Sequence, residues 1–383
     1  MNSMESVGSA RKHVISFGEI RLDEVLGYII FASMLTSLVW PPFRYLNYIF
    51  PMLALVVILA NGSMHVPDLA RPYLVVVLAS LILMPFANGE GVKDIYLILT
   101  GLSMALVGFR TLWSWWTIFT ASSLGLLLSY LVQGESLWSS IVSNFTFDIA
   151  ASNSTLESGF SYVFGIMAVW AAYTRHWRRF ALAFFFAVLT LKRVVILGIL
   201  LCVVVQFLPR SMMLKMLRPI PMMIANAVFL LFILLYGSGV FDTAIYELTN
   251  QSANELGMGR KVLYSNIVSD FLKEPWRFVF IGSGPGEAYE IMKGGWSWLR
   301  KENLHGDTLK ILYEYGGVVL MLFIWALYSS RQPGILLVAL YSNILLLTDN
   351  TLIYPFYIYF ATLITACIVA STDVDTRIKG IHR

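Results

Sequence analysis

Chemistry in this 383-residue chain is concentrated at a few positions in its second half. Lys192 and Arg193 stand together where an apolar run opens, Arg260 opens a segment of helical spacing, and His305 precedes another apolar run. Guanidinium groups stay protonated and grip phosphate or carboxylate oxygens in pairs, so the arginines suit anion binding. An imidazole, with an unperturbed pKa of about 6.5, is the natural proton acceptor at neutral pH. Each position also has an ordinary reading: Arg193 snorkelling to lipid headgroups, Arg260 solvated on a loop, His305 structural. Glu302, Asp307 and Glu314 are reserve candidates for a base or for orienting His305. Asp307 comes first among them because it lies two residues away and opens a helix, where a carboxylate also caps free amides. Cys202 and Cys367 lie in apolar runs without a spacing partner, which leaves no disulfide framework or thiolate metal site. No cluster of acids suggests a metal. The turn Gly282-Ser-Gly-Pro-Gly286 lacks the strand and helix that frame a dinucleotide fingerprint and reads as a tight turn. Trp296 and Trp298 read as interfacial anchors, with sugar stacking as the alternative.

The elements that must position these residues are membrane helices. With 58% hydrophobic and 13% charged residues and a mean hydropathy of +0.71, the composition excludes a water-soluble globule and a disordered chain. A net charge of +4 spread over this length does not imply a nucleic-acid partner. The polar first two dozen residues do not resemble a cleaved signal peptide, and no internal repeat is apparent. A helix needs about 20 apolar residues to span the hydrocarbon, and twelve runs qualify: 25–41, 45–61, 72–88, 94–112, 113–133, 159–174, 177–191, 193–209, 219–238, 307–329, 333–348 and 351–371. The expected fold is therefore an all-α polytopic membrane protein of about twelve spans. It divides into a bundle over 1–238, one large loop over 239–306, and C-terminal spans with a short tail over 307–383. With both termini cytoplasmic, fifteen Lys and Arg fall in cytoplasmic segments and four in short outer loops (Arg44, Lys93, Lys192, Arg193), as the positive-inside rule requires. The outer loops collect acids instead, among them Asp94 and Asp349. The large loop then faces outward and holds the only outward histidine, His305. Within it, Leu263, Ile267 and Phe271 mark an amphipathic helix closed by Pro275, and 276–281 reads as an extended apolar piece. Mid-depth ionisable residues, the usual mark of an ion-coupled transporter, are not evident.

Taken together, Lys-Arg opening a span, Gly-Arg before a helix in the large outer loop, Gly-x-Gly-x-Gly, and Asn-Leu-His-Gly-Asp followed by Glu314-Tyr-Gly-Gly resemble the bacterial O-antigen polymerase and O-antigen ligase superfamily. The resemblance covers roughly 190–330. In the family an asparagine commonly follows the histidine, and here Gly306 and Asp307 do. It implies a GT-C-like glycosyltransferase bundle in the bacterial inner membrane that works at the periplasmic face on an oligosaccharide carried by polyprenyl pyrophosphate. It needs neither cofactor nor metal, and inverts at the anomeric carbon. Arg193 and Arg260, helped by Lys192, would steady the pyrophosphate, and His305 would serve the acceptor hydroxyl. A repeat-unit polymerase, for O-antigen or exopolysaccharide, is the leading expectation. The alternatives are a ligase that hands the glycan to a lipid A core, and a flippase or other transporter. Membrane lipid, a chain-length regulator and a flippase are the implied partners.

Overall fold

Apolar runs punctuated by proline, glycine and asparagine become helices with defined ends. The computed structural model describes residues 16–17, 20–109, 112–133, 158–190, 192–257, 259–295 and 304–381. The described helices are α1 Leu22–Val39, α2 Phe50–Asn61, α3 Arg71–Ile82, α4 Gly89–Val107, α5 Trp115–Gln133, α6 Phe160–Tyr173, α7 Trp177–Leu189, α8 Arg193–Gln206 and α9 Arg210–Met216. They continue with α10 Pro219–Gly237, α11 Asp242–Thr249, α12 Ala253–Leu256, α13 Arg260–Lys273, α14 Pro275–Phe280, α15 Glu287–Gly295, α16 Asp307–Leu327, α17 Pro333–Thr348 and α18 Pro355–Ile381. A 3-10 stretch, Pro41–Ile49, leads into α2, and Ser16–Phe17 pairs antiparallel with Ile20–Arg21.

All twelve apolar runs coincide with helical segments, but they differ in reach. Five have the length and apolarity to cross a bilayer: Leu22–Val39, Pro41–Asn61, Trp115–Val132, Pro219–Gly237 and Asp307–Leu327. Phe160–Tyr173, Arg193–Gln206, Pro333–Thr348 and Pro355–Ser371 are apolar but shorter. The core is built from α6 and α17, which are buried along most of their length, from residues 357–368 of α18, and from the first half of α16. Around it α3 packs on α16, α4 on α18, α8 on α17 and α10 on α16. The outer faces of α2, α3 and α10 carry exposed Leu59, Ile82 and Val228, as surfaces immersed in lipid do.

Two sequence expectations need correction here. Residues 276–281 are not extended: Pro275 occupies the first turn of α14, where its fixed φ suits a helix and its missing N–H costs nothing. Asp94 is not in a loop, because α4 begins five residues before the predicted span. The Asn88 side chain accepts from the amides of Glu90 and Gly91 at 3.0 Å each and caps the helix there. At the other end Gly108, at φ 97°, stops it.

Candidate functional site

Helix α16 presents the site at its N-terminus. Gly306 has φ 111° and forms its N-cap, with half-buried His305 just outside the helix. Positive φ is strained for a residue with a Cβ, so glycine at 306 lets the chain turn sharply between histidine and helix.

Two sets of contacts hold this turn. On one side the amide of Asp307 donates to the Asp349 carbonyl at 3.2 Å, while the Asp307 carboxylate accepts from the Leu352 amide at 2.7 Å and the Thr351 hydroxyl at 3.4 Å. Segments 305–307 and 349–352 thus clamp each other in both directions. Asp307 therefore caps a neighbouring segment rather than its own helix, whose N-cap makes no side-chain bond. On the other side the Tyr264 hydroxyl donates to the His305 carbonyl at 3.0 Å. Tyr264 lies one turn after Arg260 on the same face of α13. Burial pushes its phenol up, against the opposing pull of the Arg260 charge.

Lys192 joins the first clamp through Asp349. Its ammonium lies 3.0 Å from the Asp349 carboxylate and 4.7 Å from the centre of the Tyr162 ring. The same carboxylate accepts from the Tyr162 hydroxyl at 2.6 Å and the Asn350 amide at 2.8 Å. Burial would raise this carboxyl, but Lys192 and these hydrogen bonds outweigh it and hold it below the usual carboxylate range. Lys192 is the N-cap of α8 and exposed Arg193 its first residue. A cation at a helix N-terminus opposes the helix dipole, so two of them make this end strongly attractive to an anion. At α13 the first two residues are likewise cations, Arg260 and Lys261, of which Lys261 pairs with Asp242 and leaves Arg260 to face an anion.

The structure thus links Lys192 to Asp307 through Asp349, two residues along the chain from His305, and ties the helix that Arg260 opens to His305 through Tyr264. Glu314 sits apart: fully buried two turns into α16, its carboxylate accepts from the Ala288 amide at 3.3 Å. Glu302, Trp296 and Trp298 lie outside the described residues. Sequence reasoning passed over Asp349, Tyr162 and Tyr264. Their only signal was an acid and two aromatics beside cations, at separations of more than 150 residues for the Lys192–Asp349 pair and more than 180 for Tyr162–Asp349.

The Gly282–Gly286 turn is a packing device. The amides of Ser283 and Gly284 donate to the carbonyls of Tyr313 and Glu314 at 2.8 and 2.9 Å. The turn is wedged between α16 and the start of α4, where Gly286 meets Asn88. Gly316, at φ 84° and ψ 169°, breaks α16 where Phe280 and Ile281 pack against it.

Below the site an apolar groove of about 590 Å³ opens between α10 and α16, roofed by Phe271 of α13 and Val279 of α14. Along α16 its lining runs from Leu312 to Trp325, about 20 Å at a rise of about 1.5 Å per residue. Asn226 is its one polar wall residue.

No curated protein matches the chain. Residues 179–324, which include α8, α10, the cation-headed α13, the Gly282 turn and the His305 end of α16, match the family model described as O-Antigen ligase, so the similarity to that family covers the segment that carries the site.

Proposed function

We propose that the protein is a polysaccharide polymerase, which transfers a glycan from polyprenyl pyrophosphate to a sugar hydroxyl of a second lipid-linked repeat unit at the periplasmic face of the bacterial inner membrane. The observation that carries the proposal is the placing of the His305 turn, tied to one cation-headed helix through Asp349 and to another through Tyr264. The apolar groove beginning five residues further along α16 suits a prenyl tail whose pyrophosphate lies at the helix N-termini.

In the proposed step the bond from the anomeric carbon to the phosphate oxygen breaks as the acceptor oxygen bonds to that carbon from the opposite face. The configuration inverts. The acceptor proton passes to His305, and the lipid pyrophosphate departs with the bonding electron pair. Arg193 and Arg260 stabilise its growing charge, and no step is assigned to a metal. Lys192 contributes charge from within its pair with Asp349. Such a preorganised contact is worth about 10²- to 10³-fold in rate, and a general base about 10²- to 10⁴-fold.

The family description favours a second reading on the same residues, a ligase that delivers the finished glycan to a lipid A core. Surface polysaccharide from a deletion strain complemented with wild type, His305→Ala, Arg193→Ala or Arg260→Ala separates the two. At equal protein levels, collapse of the length ladder to single repeat units in the deletion and the variants supports the polymerase. Loss of attached glycan with accumulation of long lipid-linked chains means ligase, and full activity of His305→Ala removes its catalytic role.

A further inference from the structure

A second group of ionisable residues lies deeper in α16. Lys310 forms an ion pair with Asp94 of α4; the two are 5% and 7% exposed and Glu314 is fully buried. Asp307, Lys310 and Glu314 recur at i, i+3 and i+7, so one stripe of a membrane helix carries all three. Charges buried at such a place are costly unless paired, and ionisable residues that face the interior of a membrane helix bundle mark function more often than packing. The stripe belongs to a short rod. Between Gly306 and the break at Gly316, Tyr313 donates to Asp270 of α13 at 2.8 Å, and Tyr315 receives a hydrogen bond from Ser80 of α3 at 3.0 Å. Lys310 has a second connection, because its own amide donates to the Gly306 carbonyl at 3.0 Å and closes the turn that carries His305.

We propose that Lys310 is a positioning residue. Its side chain, locked to Asp94, fixes the rotation of the 307–315 rod. Its amide passes that rotation to Gly306, and so sets the direction His305 presents. The proposal rests on the reading of His305 as the proton acceptor, and it gives the first half of the chain, through α4, a part in the site.

The test uses full-length protein in detergent with His13, His65, His176 and His382 replaced by Gln, so that labelled histidine gives one imidazole resonance, that of His305. The pair Asp94→Asn/Lys310→Met removes one charge of each sign, so the net field at the imidazole changes little and a displaced resonance reports orientation. The expected result is a displaced resonance, an unchanged melting temperature, and polysaccharide yield in cells lowered by roughly 10²-fold, the cost of misplacing a reacting group by about 1 Å. An undisplaced resonance overturns the proposal. A displaced resonance with full yield overturns it as well, by removing the catalytic reading of His305 on which it rests. Should the neutral pair fail to fold, Asp94→Glu, which keeps the charge and lengthens the tie by one methylene, is read by the same two outcomes.

Discussion

Asp349 shows what a single side chain can contribute without touching a substrate. Its carboxylate serves Lys192, Tyr162 and the Asn350 amide while its carbonyl holds Asp307. Breaking a buried pair by removing one partner costs about 3 to 5 kcal/mol, so Asp349→Ala should lower the melting temperature markedly and reduce polysaccharide yield at least tenfold, roughly the smallest effect expected when charge-stabilising contacts are disordered. Asp349→Asn keeps an acceptor for Tyr162 and should be the milder variant. A pH dependence follows from the depressed carboxyl. The Lys192–Asp349 contribution is fully present above the unfolded carboxylate pKa of about 3.9. It is lost as pH falls through the lower folded value. Melting temperatures of wild type and Asp349→Asn should therefore differ by a constant amount above about pH 5 and converge below it, and a gap that widens in acid would contradict this. The sequence displayed Lys192, Arg193, Arg260 and His305 through residue type and local setting. It could not display Asp349, since a pairing between the start of α8 and the end of α17 has no local spacing.

Helices and turns were legible wherever local physics decides them. The amphipathic spacing and Pro275 marked α13, and the apolar runs marked the spans. The conformation of 276–281 was not legible, because a six-residue apolar piece fits strand and helix alike and only packing on α16 decides. The Gly282 turn was readable as a turn, but its purpose as a wedge between α4 and α16 needed the fold. A Cβ at Gly282, at φ 77°, would stand 2.5 Å from the Glu314 carbonyl oxygen and the Tyr315 nitrogen. Gly282→Ala should therefore cost at least about 1 to 3 kcal/mol from backbone strain alone, seen as a lowered melting temperature. Gly89 opens α4 with nothing within 4 Å of an added Cβ, so Gly89→Ala should leave stability unchanged or slightly raised. Equal losses from both substitutions would mean that the turn is not a wedge.

At the scale of the whole molecule, charge distribution is the strongest argument for how the chain lies in its membrane. Arg175, Arg178 and Arg179 gather where α6 gives way to α7, and Arg210, Lys215 and Arg218 between α8 and α10; in the proposed orientation the positive-inside rule would retain both groups in the cytoplasm. The His305 turn, the start of α13 and the end of α17 lie together at the other ends of those helices. Among the described residues five helices reach full spanning length; of the shorter ones α6 and α17 are largely buried among neighbours, whereas α8 exposes Leu197, Leu200 and Val204. Composition therefore revealed a membrane bundle but not which segments contact lipid, since burial and membrane insertion favour the same residues. Labelling tests the orientation directly. Cys202 and Cys367 are 2% and 5% exposed and should give little background with a membrane-impermeant maleimide. Gln251→Cys, in the exposed loop after α11, should label in intact inner-membrane vesicles only when they are right-side-out, and His176→Cys only when they are inverted. The reverse pattern would put the site in the cytoplasm, where a lipid-pyrophosphate donor assembled on that face would need no flippase, and the proposed place of the reaction would fall while the contacts at His305 stood unchanged.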